Sequence, residues 1–170
     1  AVILWVEFAL EKRPPGVLLN RMKKAWIVRK SSEPLSFQAN VRLFRNPAGD
    51  EVQGWLVTPP GEGPFALYLK VHGGPSWLYL DTWWTDVQAL LDEGFAVAMV
   101  NYRGSLGYGR AWRDRIIGDI GFPEVQDVIS GLDDLVARGV ADPERAVIGG
   151  WSWGGYITLL ALGTHSDRFA

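Results

Sequence analysis

The chain has no cysteine, and only two histidines and two methionines among its 170 residues. Without cysteine there is no disulfide framework, no thiolate nucleophile and no cysteine-ligated metal, and two histidines are too few for a histidine-rich metal cage. An excess of one charge is also missing. The 17 basic and 19 acidic residues leave a formal charge of −2, scattered through both halves, so no electrostatic footprint for nucleic acid or an anionic membrane stands out. A small or peptidic substrate is easier to accommodate. Long apolar runs are scarce as well. The stretch Ala1 to Leu10 has no basic flank, is interrupted by Glu7 and is too short to span a bilayer. It reads as a buried strand, and the compartment expected is cytoplasmic. What is present is 48% apolar residues, including nine tryptophans, enough for one substantial core.

Proline and glycine divide the chain. Arg13-Pro14-Pro15-Gly16 and Ser31-Ser32-Glu33-Pro34 are breaker clusters that predict a boundary near residue 35. Between Val41 and Thr58, two alternating runs flank Asn46-Pro47-Ala48-Gly49-Asp50, the turn chemistry of a β-hairpin. Beyond Pro59-Pro60-Gly61, Phe65 to Val71 and Ala96 to Val100 are continuous apolar runs, broken only by Lys70, as expected of strands covered on both faces. Between them Trp83, Val87, Leu90 and Leu91 recur at helical spacing, and Gly94 stands where a helix would be capped. A second helix is predicted over Val125 to Val136, a short strand over Ala146 to Gly149, and a third helix from Gly155 onward. This alternation predicts a doubly wound α/β domain.

Gly150-Trp151-Ser152-Trp153-Gly154 fits the G-x-S-x-G nucleophile elbow, and it lies between a predicted strand and an apolar helix, where that short pattern has meaning. In this setting Ser152 is expected to be a nucleophile at the carboxyl end of the sheet. The amide end of the following helix would face the developing oxyanion. A phosphate-cradling turn is the alternative, but the lysine of a P-loop and the spacing of a dinucleotide fingerprint are both lacking. His72-Gly73-Gly74-Pro75 directly follows a predicted strand, where a second oxyanion donor belongs. The candidate donors are the backbone N–H groups of Trp153 and Gly74. His72 could be mistaken for a catalytic base; its place before two glycines favours a histidine that fixes the loop by hydrogen bonding.

Taken in order, His72-Gly73-Gly74-Pro75, Asn101-Tyr102-Arg103-Gly104-Ser105-Leu106-Gly107-Tyr108-Gly109 and Gly150-Trp151-Ser152-Trp153-Gly154-Gly155-Tyr156 resemble the successive signatures of the prolyl oligopeptidase (S9-type) family of serine peptidases. The group most resembled contains acylaminoacyl-peptidases and dipeptidyl aminopeptidases. Asp127-Val128 and the run from Arg138 to Arg145 are similar to the family's helix and loop before the nucleophile strand. The resemblance implies an α/β-hydrolase fold with a doubly wound, mostly parallel sheet, and hydrolysis of short peptides through an acyl-enzyme on Ser152. It also implies a Ser-Asp-His triad with no metal or organic cofactor. By the same resemblance, the side chains of Trp153 and Tyr156 shape the subsite near the scissile bond, or else simply pack in the core. Arg103 becomes a structural anchor or a substrate contact, with an exposed, solvated arginine as the alternative. Residues 1–35 would be the end of the β-propeller that precedes the catalytic domain in this family, or a linker, and 36–170 part of the hydrolase domain.

Two other readings stay open: an esterase or lipase-like hydrolase, weakened because Pro75 stands where the lipase-type loop would carry a further glycine, and a non-catalytic hydrolase-like binding protein. The triad order is serine, acid, histidine, and only 18 residues follow Ser152 in the 170. His165 and Asp167 lie there, but at 1.5 Å per residue they fall on the order of 20 Å from the elbow, out of reach. The family's Asp and His are therefore expected outside this chain, which begins without Met and ends just after a helical pattern. The expectation is a partial chain, without its propeller and C-terminal portion and nearly inactive alone.

Overall fold

In the computed structural model, residues 40–170 are described. The strand expected over Ala1 to Leu10, the two breaker clusters and the boundary near residue 35 lie outside the described residues. The predicted hairpin forms from β1 (Asn40–Arg45) and β2 (Glu51–Val57), paired antiparallel from Asn40↔Leu56 to Arg45↔Glu51. Its turn is closed by Asn46, whose carbonyl accepts from Gly49 N–H at 2.9 Å and whose Oδ1 accepts from Asp50 N–H at 2.9 Å. Asparagine competes well for such local bonds.

β3 (Phe65–Val71) leads through α1 (Thr85–Asp92) to β4 (Phe95–Asn101). Gly94 stands just beyond α1 with φ +86°, a backbone angle that a side chain opposes. A short helix, α2 (Arg110–Arg113), runs into a 3₁₀ turn, Asp114–Ile116. Then come α3 (Phe122–Ala137), β5 (Ala141–Gly150), α4 (Trp153–Thr164) and a last 3₁₀ turn, Ser166–Arg168. The sheet order is β1-β2-β4-β3-β5. β2 pairs β4 antiparallel, while β3 pairs both β4 and β5 in parallel.

Uniform hydrophobicity along β4 has its reason in the packing. Ala96, Ala98 and Val100 face one core with Leu67, Leu69 and Val71 of β3, Val128 and Leu132 of α3, and Ile157 and Ala161 of α4. Val97 and Met99 face the other, with Tyr79 and with Val87 and Leu91 of α1. Each fully buried leucine or valine contributes about 1.5–3 kcal/mol by leaving water. Lys70, the charged interruption in β3, pairs with Asp86 of α1 at 2.5 Å and lies 4.6 Å from the ring centre of Trp84.

This layering places the site. β3 and β5 are neighbours, in register from Tyr68↔Val147 to Val71↔Gly150, yet α1 and α4, the helices next after them, pack into opposite cores. Loops leaving adjacent parallel strands toward opposite faces open a crevice at the carboxyl ends of those strands, the usual binding position in open α/β sheets.

Candidate active site

Gly150 ends β5 and Trp153 begins α4, so Trp151 and Ser152 make the whole turn. Ser152 has φ +55° and ψ −118° and is the sole described residue other than glycine with positive φ. Such a conformation costs on the order of 1–3 kcal/mol and persists where the surroundings over-determine it. The turn is closed by Gly154 N–H donating to Trp151 O at 2.9 Å, and by Gly155 and Tyr156 N–H donating to Ser152 O at 2.9 and 3.1 Å. The Trp153 N–H, first of the helix, is not among these donors. Ser152 itself is exposed.

The elbow fits against the end of β3 because glycine leaves room. A Cβ at Gly150 would stand 2.4 Å from Val71 O, and one at Gly154 only 2.2 Å from the same oxygen and 2.8 Å from His72 O. On the other side of the contact, a Cβ at Gly73 would lie 2.9 Å from Trp151 O and 3.3 Å from Ser152 Cβ. The structure thus brings the His72-Gly73-Gly74-Pro75 loop and the serine turn together as backbone against backbone. Gly74 takes φ +131°.

His72 is buried and neutral. Its Nδ1 faces Gly73 O and its Nε2 faces Ser105 Oγ, each at 2.8 Å, which assigns the proton to Nδ1 and leaves Nε2 to accept from the Ser105 hydroxyl. Burial pushes its pKa down to about 4, only partly opposed by the bond to Gly73. Nor does the chain's second histidine bond to Ser152: the Nδ1 of His165 partners Thr164 Oγ1 at 2.8 Å, beyond the last residue of α4. Asp167 is beyond it as well, in the 3₁₀ turn.

The segment Asn101 to Ser105 is a bracket for these loops. The Asn101 side chain accepts from Tyr79 N–H at 2.7 Å and donates to Tyr79 O at 3.0 Å, as a neighbouring strand would. Tyr102 donates its hydroxyl to His72 O at 2.7 Å. Ser105 holds the imidazole, as above. Arg103 is buried at 6% exposure, so the solvated arginine does not hold. Of its expected roles the structure shows the anchor: the backbone N–H donates to Asp127 Oδ2 at 2.7 Å, Nε lies 3.1 and 3.0 Å from the two carboxylate oxygens, and Nη2 donates to Pro123 O at 2.9 Å. Asn46 of the hairpin turn donates to Asp127 Oδ1 at 2.8 Å. Burial raises the Asp127 carboxyl, and these bonds work against that rise.

Trp153 and Tyr156 form one aromatic pair, with ring centres 5.3 Å apart. Trp153 is half-buried and Tyr156 is exposed. Trp153 Nε1 donates at 3.3 Å to Oε1 of Glu124, whose Oε2 accepts from Gly121 N–H at 2.8 Å. Asn101 and Ser105 stand in the sequence only as members of a motif with no role of their own, and Glu124 lies outside every motif. For Glu124 the available signal was a carboxylate three residues after Gly121 at a helix start, the second half of a capping box. Among the described residues, no group of three or more His, Cys, Asp or Glu could hold a metal ion. No described helix is long and apolar enough to cross a membrane.

Comparison with known proteins bears on the family and the fold. The model of the prolyl oligopeptidase family matches residues 82–170. The chain is 37% identical over 125 residues to the uncharacterized peptidase YuxL of Bacillus subtilis, covering 71% of this chain and 19% of that protein. Among solved structures, the acylaminoacyl peptidase of Pyrococcus horikoshii superposes with a TM-score of 0.74 at 31% identity, over 86% of this chain and 23% of its own. A puromycin-hydrolyzing peptidase of Mycobacterium tuberculosis gives 0.75 at 30% identity, over 81% and 22%. The fold is that of an α/β-hydrolase, and the chain spans roughly a fifth of the length of the proteins it matches.

Proposed function

The chain belongs to the prolyl oligopeptidase family, and on that premise we propose that it carries the nucleophile and oxyanion hole of a serine peptidase acting on short peptides. The observation that carries the reading is the Ser152 turn, held at positive φ against the Gly73 loop. Ser152 Oγ attacks the scissile carbonyl carbon while its proton passes to an imidazole base. The carbonyl oxygen, now an oxyanion, takes the N–H groups of Trp153 and Gly74. The base then protonates the departing amine, and water hydrolyses the acyl-serine by the reverse sequence of proton transfers. Preorganised amides of this kind are worth on the order of 10²–10³ in rate each.

The base and its orienting carboxylate lie outside residues 40–170 in this reading. His72 is committed to Gly73 and Ser105, and His165 to Thr164. The 170-residue chain alone is accordingly nearly inactive, and a longer protein containing it is the peptidase. The aromatic pair Trp153 and Tyr156 is the part of this chain that would line the acyl subsite. No metal or organic cofactor takes part, and the protein works in the cytoplasm, on peptides rather than at a membrane or on nucleic acid.

Reaction with a fluorophosphonate probe, with the adduct mapped by mass spectrometry, tests the proposal. The 170 residues alone should label poorly, and the full-length protein containing them should label stoichiometrically at Ser152, with Ser152→Ala blank. Stoichiometric labelling of the isolated chain would overturn the claim of an external base. A full-length protein that cleaves p-nitrophenyl esters but no peptide would be an esterase instead.

A further inference from the structure

Glu124 is a carboxyl fully removed from solvent, in the first turn of a helix that capping alone does not require to be buried. A cap needs one oxygen, and an exposed carboxylate supplies it without the cost of leaving water. Here both oxygens are used, and they reach different elements. Oε2 accepts from the N–H of Gly121, the residue just ahead of α3, and Oε1 accepts from the indole of Trp153, the first residue of α4. The same corner touches the neighbouring ring: a Cβ at Gly121 would meet the Tyr156 hydroxyl at 2.6 Å and Leu160 Cδ2 at 2.7 Å. The start of α3 is therefore the wall on which the aromatic pair beside Ser152 rests.

We propose that Glu124 is a positioning residue for acylation, fixing through the Trp153 indole the residue whose backbone N–H faces the oxyanion, an inference that rests on Ser152 being the nucleophile. Oxyanion donors act by being in place before charge develops. The hydrogen bonds that close the turn fix the backbone around this amide, and the grip on the Trp153 side chain adds a further restraint at the first residue of the helix. Trp153 has one polar grip, Nε1, and Glu124 takes it. The charged and titratable groups facing Glu124 are few. Asp127, further along α3, opposes its ionisation, and Arg103 bonds that aspartate. Tyr102 contributes a phenol kept protonated by burial. Burial is the main cause that raises the Glu124 carboxyl above the ordinary glutamate range, and the bonds from its own backbone N–H, from Gly121 and from Trp153 oppose it.

The test is a double-mutant cycle in the full-length protein. Glu124→Gln keeps the shape but cannot accept from both donors at once. Trp153→Phe removes the indole N–H and leaves the Gly121 cap intact. Each should slow the first-order acylation of Ser152 by a small fluorophosphonate roughly three- to tenfold, with probe affinity unchanged, and the double variant should be no slower than the slower single. In the wild type the Trp153 indole NMR resonance should move as Glu124 ionises, at a pH above the ordinary glutamate range, and stay fixed in Glu124→Gln. Variants that acylate at the wild-type rate, multiplicative single effects, or an indole resonance that ignores pH would each overturn the proposal while leaving Ser152 as nucleophile. A wild-type protein that never labels at Ser152 would instead remove the nucleophile reading, and the positioning role with it.

Discussion

Tyr102 grips His72 twice: its ring stacks on the imidazole with centres 4.1 Å apart and planes 14° from parallel, and its hydroxyl donates to the His72 carbonyl at 2.7 Å. The stacked ring is part of the enclosure around the imidazole, and burial holds it neutral.

Acid should therefore loosen this loop. His72 takes up its proton near pH 6.5 when unfolded but only near 4 when folded. The unfolded state binds more protons between those values, so the His72 contribution to stability is complete above about pH 6.5 and falls as pH drops toward 4, by about 3 kcal/mol in all. Urea unfolding at several pH values should show this loss, and His72→Gln should lack it. A variant with the same acid dependence as the wild type would refute the assignment.

The strained serine makes an opposite kind of prediction. Because Ser152 holds φ +55°, Ser152→Gly should raise stability by about 1 kcal/mol while abolishing fluorophosphonate labelling of the full-length protein. Thermal unfolding beside the wild type measures the gain. A lower melting temperature would mean that the turn is not strained.

Asp127→Ala should be among the most damaging single changes outside the elbow. It leaves the guanidinium of Arg103, with 7% of its side chain exposed, buried without its counter-charge, at a cost of about 3–5 kcal/mol. Asp127→Asn should cost less, since it keeps an acceptor and the shape. Equilibrium unfolding decides between them; equal losses would show that charge is not what the site requires.

At Gly73, alanine would set a methyl 2.9 Å from Trp151 O and 3.3 Å from Ser152 Cβ, forcing the loop from His72 to Pro75, the proposed oxyanion loop, away from the serine. Acylation in the full-length protein should fall at least tenfold, for a loss of stability of about 1–3 kcal/mol. Unchanged labelling with a folded protein would show that the two loops need not touch.

The features legible in the sequence are those with local causes. The hairpin announced itself by Asn46 to Asp50, β3 by an apolar run with the predicted bounds, and the elbow by Ser152 between glycines. β5 was expected only from Ala146 because Asp142 to Arg145 carry charge and a proline. In the structure Phe65↔Ala141 and Leu67↔Ala146 bracket that irregular excursion, so the strand resumes on its far side. α2 is too short to show a period, and its Trp112 is tied by a bond to Tyr102 O. Partners far apart in the chain were out of reach of any local pattern. Arg103 meets Asp127 across 24 positions and Asn46 meets Asp127 across 81. The run from Asn101 to Ser105 was visible as a motif, while what it holds was not.

Main-chain oxygens, rather than side chains, set the separation between the serine turn and the end of β3: Val71 O and His72 O stand where Gly150 or Gly154 would otherwise carry a methyl. Geometry written in the backbone is insulated from the drift of the residues around it. Substitution at the exposed Trp151, Tyr156 and Leu159 changes the surface around the turn without moving the backbone contact beneath it. Such a junction lets the surface of a lineage diversify while the turn itself stays still.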